Sequence, residues 1–117
     1  MTSSPSDPES WSPVRFVDTP EALRSAVEQW KQAPVLGVDC ESNSFFAYRE
    51  RLCLLQVTAF DQDYVVDPIA LGEELRAINP LLSDPNLITI FHSAEYDLML
   101  LQQDLGAEVR GLFDTQV

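Results

Sequence analysis

VLGVDCES, residues 35–42, is the stretch whose reading decides the fold. Its β-branched content and its length predict a strand that ends in acid. Side chains two apart on a strand share a face, so Asp39 and Glu41 point the same way and Cys40 the other. Two adjacent carboxylates repel, and burying either one uncompensated is expensive. A divalent cation between them resolves both problems, and oxygen ligands suit Mg²⁺ or Mn²⁺. On spacing alone, a strand end emerging into solvent with two surface acids reads equally well.

Downstream, RLCLLQVTAF (51–60) is apolar on both faces around Cys53 to Leu55, as a central strand should be. DYVVD (63–67) follows through a turn at Asp61-Gln62. That link is far too short for a crossover, so these strands form an antiparallel meander. Upstream, residues 14–18 read as a short strand. Thr19-Pro20-Glu21 then opens a helix, with Thr as N-cap, Pro in the first turn and acid beside it. Leu23, Ala26, Val27 and Trp30 form one apolar face, and Pro34 stops the helix.

Further on, Leu71, Leu75 and Ile78, then Asn79-Pro80, predict two short helical pieces. LITIFH (87–92) is the next strand, and Ser93 caps the helix after it. Leu98, Leu101 and Leu105 line that helix and Gly106 ends it. Residues 109–113 read as the fifth strand counted from residue 35, and Asp114-Thr115 as the cap of a further helix. Strands alternating with helices make an α/β domain with a mixed sheet.

Asp97 lies near the first turn of its helix, where a carboxylate is favoured. Without further context an ordinary helix-start acid is the favoured reading there. His92, at a strand end, is expected to be a hydrogen-bonded structural residue. Phe45, Phe46 and Tyr48 follow the first acidic pair, placed either to stack on a terminal base or to pack at the sheet edge. Arg49 and Arg51 either contact phosphate or balance nearby acid. Cys40 and Cys53 are expected as unbridged thiols in a cytoplasmic, reducing setting. Residues 1–13, rich in Ser, Pro and acid, read as a disordered tail with no secretory pattern. No apolar run approaches the ~18 residues that span a bilayer. Residues 14–117 form one domain.

The net charge is −12, from seven basic and nineteen acidic residues. The basic stripe of an ordinary nucleic-acid binder is absent. Bound divalent metal would offset part of the acid locally.

VDCES (38–42), RLCLLQV (51–57), DYVVDP (63–68), NPLLSDPNLITIFHSAEYDLMLL (79–101) and LFDTQ (112–116) together closely resemble the ribonuclease D family, its exosome-associated relatives included, within the DEDD exonuclease superfamily. The resemblance runs from about residue 35 to the end, and more loosely from residue 14. Asp-x-Glu is weak alone; joined to Leu-Gln in the next strand, Phe-His-x-x-x-x-Asp and Phe-Asp-Thr-Gln, it is highly specific. Asp39 and Glu41 match the first exonuclease motif and Asp97 the acid of the second. Ser93 stands where many superfamily members carry Asn.

The resemblance implies a ribonuclease H-like fold: a mixed five-stranded sheet with helices on both sides, incomplete at the C-terminus. It implies 3′-5′ hydrolysis of single-stranded RNA ends, releasing nucleoside monophosphates, with two Mg²⁺ or Mn²⁺ ions about 4 Å apart. Asp39 would bridge both ions, Glu41 would hold the one that activates water, and Asp97 would support the other. A third motif, Tyr-x-x-x-Asp, is expected beyond residue 117, so the 117 residues alone are expected to be inactive. The alternatives are a DNA-directed proofreading exonuclease and a non-catalytic binding or interaction module on the same fold.

Overall fold

The computed structural model describes residues 13–43 (Asn43 by its backbone only), 51–92 and 94–115. The tail at residues 1–12, the aromatic loop with Phe45, Phe46, Tyr48 and Arg49, and the Ser93 cap lie outside the described residues.

Strand β1 (Arg15–Val17) leads into helix α1 (Pro20–Trp30). The Thr19 hydroxyl accepts from Ala22 N at 3.1 Å, satisfying one orphan donor of the first turn. Leu23, Ala26, Val27 and Trp30 are buried as the spacing predicts. The helix gives way at Lys31, ahead of Pro34. Trp30 meets Tyr64 edge to face, with ring centroids 5.3 Å apart.

β2 (Val35–Asn43), β3 (Arg51–Ala59) and β4 (Gln62–Val66) form the expected antiparallel meander. Its hairpin turn falls on Phe60 and Asp61, one residue earlier than the sequence indicates, and both have positive φ, 52° and 61°. A two-residue turn with left-handed φ at both positions matches the twist of its strands. Between β2 and β3 the register breaks: Glu41 faces Leu54 and Ser42 faces Leu52, leaving Cys53 as a bulge.

The helical stretch that follows comes in three pieces, the first closed by Gly72 at φ 56°. They are α2 (Pro68–Leu71), a 3-10 segment (Gly72–Ile78) and α3 (Asn79–Leu82). Then come β5 (Ile88–Phe91), α4 (Ala94–Leu105) and β6 (Leu112–Asp114). Gly106, at φ 66°, turns the chain out of α4.

The sheet order is β1-β4-β3-β2-β5-β6. It has six strands because the short strand ahead of α1 also joins, parallel to β4. The other parallel pairs are β2 with β5 and β5 with β6. Leu36, Val38, Leu55, Val57, Tyr64, Val66 and Phe91 are buried on one face, beneath α1, α3 and α4. On the other face Asp39, Gln56, Thr58, Asp63, Ile88 and Phe113 are exposed. Helices therefore cover one side of the sheet, not both, among the described residues. No helix among them is long and apolar enough to cross a membrane.

Candidate metal centre

Asp39 and Glu41 sit on the central strand β2, both exposed, with Cys40 buried between them. The pleat puts both carboxylates on the open face, and pairing places Asp39 beside Gln56. β5 pairs with β2 only over Val35, Leu36 and Gly37. Past that ladder the Cys40 N–H lacks a β5 partner. Asp97, one turn into α4, supplies it: its Oδ2 accepts from Cys40 N at 3.3 Å. The second candidate motif thus meets the first although 57 residues separate them.

Asp97 is 5% exposed, one of the two buried polar or charged residues, with Thr89, among the described residues. Burial pushes its carboxyl up to about 6, the Cys40 N–H pulls the other way, and the charges of Asp39 and Asp114 push it further up. Burial, with the charges of Asp97 and Asp39, also drives the Cys40 thiol well above its usual range. Both cysteines carry free thiols.

The structure therefore brings Asp39 and Asp97 within electrostatic reach and leaves Glu41 two positions on, on the Asp39 face. Among the described residues no three His, Cys, Asp or Glu side chains form a ready coordination cluster. The donor chemistry still fits a hard cation. All three groups are carboxylates, and one is buried against like charge that a divalent ion would offset.

The open face around Asp39 is a depression lined by Gly37, Gln56, Thr58, His92 and Thr115 among others. His92 Nδ1 lies 3.0 Å from Thr115 Oγ1. The single hydroxyl proton of Thr115 is directed at Phe91 O, 3.2 Å away. The bond to Thr115 gives the histidine a structural partner.

Asp114 makes a bond that its sequence position does not suggest, and the helix expected after Thr115 lies outside the described residues. Asp114 Oδ2 accepts from Ala94 N at 3.0 Å, so it caps α4, a helix earlier in the chain. Ser42 and Tyr96 hydroxyls, 2.6 Å apart, tie β2 to the same first turn. Asp104 accepts from Leu52 N, beside the Cys53 bulge. These partners are 20 to 54 residues apart, and no local pattern marks them. Only the pairing of β6 with β5 would have pointed to Asp114.

A sequence model of a family described as 3′-5′ exonuclease matches residues 14–117. The chain is 38% identical over 100 residues to the exosome complex exonuclease RRP6 of Saccharomyces cerevisiae, covering 86% of this chain and 14% of that protein. It is 36% identical over 102 residues to a ribonuclease D of Gluconacetobacter diazotrophicus, covering 87% of this chain and 26% of that one. Among solved structures, the catalytic core of Trypanosoma brucei RRP6 superposes with a TM-score of 0.85 at 34% identity, over 88% of this chain and 29% of that one. A Trypanosoma brucei RNase D solved with RNA U12 gives 0.81 at 28% identity, over 90% and 38%. The chain thus spans about a seventh to a quarter of the length of these two curated relatives.

Proposed function

Because the chain belongs to the 3′-5′ exonuclease family, we propose that the protein carrying it hydrolyses the 3′-terminal phosphodiester of single-stranded RNA and releases nucleoside monophosphates. The observation that carries this reading is the bond from Cys40 N, next to Asp39 on β2, to the buried Asp97, whose carboxyl feels the Asp39 charge. It supports a cation site where the sheet's open face borders the first turn of α4. RNA is favoured over DNA by the RNA bound to a trypanosomal neighbour of this fold. The family is divalent-metal dependent in general; Mg²⁺ or Mn²⁺ is the assignment the oxygen donors favour.

Asp39, Glu41 and Asp97 are the residues assigned to hold the metal. When bound, it supplies Lewis-acid stabilisation of phosphoryl charge and makes water a better nucleophile. Asp39 and Glu41 offer their oxygens from the open face, where a strand end has room to lie. Asp97 is held by the Cys40 N–H, so its position does not depend on a flexible side chain. Gln56 stands beside Asp39, placed to donate to a substrate oxygen. The two free thiols suit a cytoplasmic setting, which belongs to the same proposal.

The test is a 3′-end assay on 5′-labelled single-stranded RNA and DNA, using the protein that carries this chain. A Mg²⁺- or Mn²⁺-dependent ladder shortening from the 3′ end is expected, and Asp39→Asn is expected to slow it by at least ~10²-fold. Faster DNA degradation would transfer the assignment to DNA. Tight RNA binding without cleavage would favour a non-catalytic module on the same fold.

A further inference from the structure

We infer that Asp114 and Thr115 are positioning residues for the Asp97 carboxylate, clamping the turn between β5 and α4 from the end of β6. The inference rests on the reading of Asp97 as a metal-holding group. β5 ends at Phe91 and α4 begins at Ala94, so the helix leaves the sheet within a very short turn. Thr115 grips the strand end twice: its N–H donates to Phe91 O at 2.8 Å and its hydroxyl to the same oxygen at 3.2 Å. His92 adds its bond to that hydroxyl. Asp114 holds the helix side, accepting from Ala94 N at 3.0 Å.

Ala94 N is one of the first-turn amides that α4 itself leaves unpaired, and a carboxylate there also faces the positive end of the helix. Asp97 is one turn further on. Its bond to Cys40 N, at 3.3 Å, is already at the long end for a hydrogen bond. A small slide or rotation of the first turn would break it. The other end of α4 has separate anchors: Asn79 Nδ2 donates to Leu105 O at 2.9 Å, and Asp104 accepts from Leu52 N. Without the Asp114 cap the turn that carries Asp97 loses its tie to β6 and is left with the Tyr96–Ser42 and Asp97–Cys40 bonds to β2, while the far end stays docked.

A merely structural cap predicts otherwise, and Asp67 provides the comparison. It caps α2 through two bonds of 3.0 Å, from Ile69 N and Ala70 N, at a helix that borders the C-terminal end of α4 and not the first turn that carries Asp97. In the metal-free protein, hydrogen exchange at the Cys40 amide reads the Asp97 bond directly. Asp114→Ala is expected to speed that exchange at least tenfold and Asp67→Ala to leave it unchanged. Outer-shell partners of metal ligands are worth roughly 10–100-fold in affinity. Mn²⁺ affinity is therefore expected to fall about tenfold in Asp114→Ala alone, with kcat reduced and KM for RNA unchanged. Asp114→Asn, which keeps an acceptor oxygen, should recover to within about threefold of wild type. Should Asp114→Ala not fold, Thr115→Val, which removes only the hydroxyl bonds, is judged by the same two readouts. Unchanged Cys40 exchange in a folded variant, or equal losses in Asp114→Ala and Asp67→Ala, would overturn the inference. If Asp97→Asn itself leaves Mn²⁺ binding intact, the metal assignment fails, while Cys40 exchange still decides the clamp.

Discussion

At Asp97 burial and like charge act in the same direction on one carboxyl, and the consequence is measurable without any metal. Below about pH 4 the group is protonated in folded and unfolded chains alike. Between about pH 4 and 6 only the folded chain keeps the proton, because its carboxyl is raised to about 6. Proton binding therefore favours the folded state, and that contribution is lost as pH rises through about 6. In chelator, this residue is expected to remove on the order of 1–2 kcal/mol of stability between pH 4 and 7, after allowance for solvent screening. Urea titrations across that range should show the decline in wild type and a flatter profile in Asp97→Asn. A wild-type profile that rises with pH while Asp97→Asn stays flat would mean the group is instead stabilised as an anion.

Between residue and molecule, the β5–β6 pair decides where α4 begins. Gly111 lies where β6 enters the sheet, and its carbonyl accepts from Thr89 N at 2.8 Å. A Cβ at this position would sit 2.0 Å from Leu87 O, a backbone atom that cannot swing aside. Gly111→Ala is therefore expected to force β6 away from β5 and to lower stability by about 3 kcal/mol. Chemical unfolding measures the loss. Because Asp114 travels with β6, the same substitution should also speed exchange at Ala94, whereas Gly72→Ala, where nothing lies within 4 Å of the added carbon, should not. α4 itself has acid in its first turn, Glu95 and Asp97, but no base in its last, so its C-terminal carbonyls rely on tertiary partners such as Asn79.

Over the whole molecule the acidic balance governs how RNA would be held. Four of the seven basic residues, Arg24, Lys31, Arg76 and Arg110, are paired with acids within three positions of themselves. Such exposed pairs add little stability, but they occupy the cations a phosphate would need. At most three basic side chains remain for the backbone of a single strand. Since each contact contributes about −0.7 to the slope of log K against log salt, RNA binding by this chain should have a slope shallower than about −2. Raising Mn²⁺ at constant ionic strength should tighten it. A steep monovalent-salt dependence, unaffected by Mn²⁺, would place binding on a basic surface and not at the acidic strand end.

What was legible in the sequence was what local chemistry controls. Thr19-Pro20-Glu21 specified where α1 starts because a cap, a fixed φ and a favourable charge all act within a few residues. The apolar spacing of Leu23, Ala26, Val27 and Trp30 specified which side of it is buried. The short link after Ala59 required an antiparallel hairpin, although the sequence alone misplaced its turn by one residue. Alternation along residues 35–42 was enough to put Asp39 and Glu41 on one face, and the combined motifs pointed to the family. Tertiary structure alone decided the rest. Whether the strand ahead of α1 joins the sheet depends on β4, where Val65 pairs with Phe16, and a three-residue strand cannot signal so distant a partner. That Asp97 reaches Cys40 depends on β5 stopping short of β2's end, a fact of register. That Asp114 reaches the start of α4 follows from β6 lying parallel to β5, which carries its last residue to the amide of Ala94. Hydrogen bonds between residues 20 to 57 apart leave no periodic trace in a chain, because the side chains that make them are ordinary at their own positions and acquire a role only when the sheet assembles.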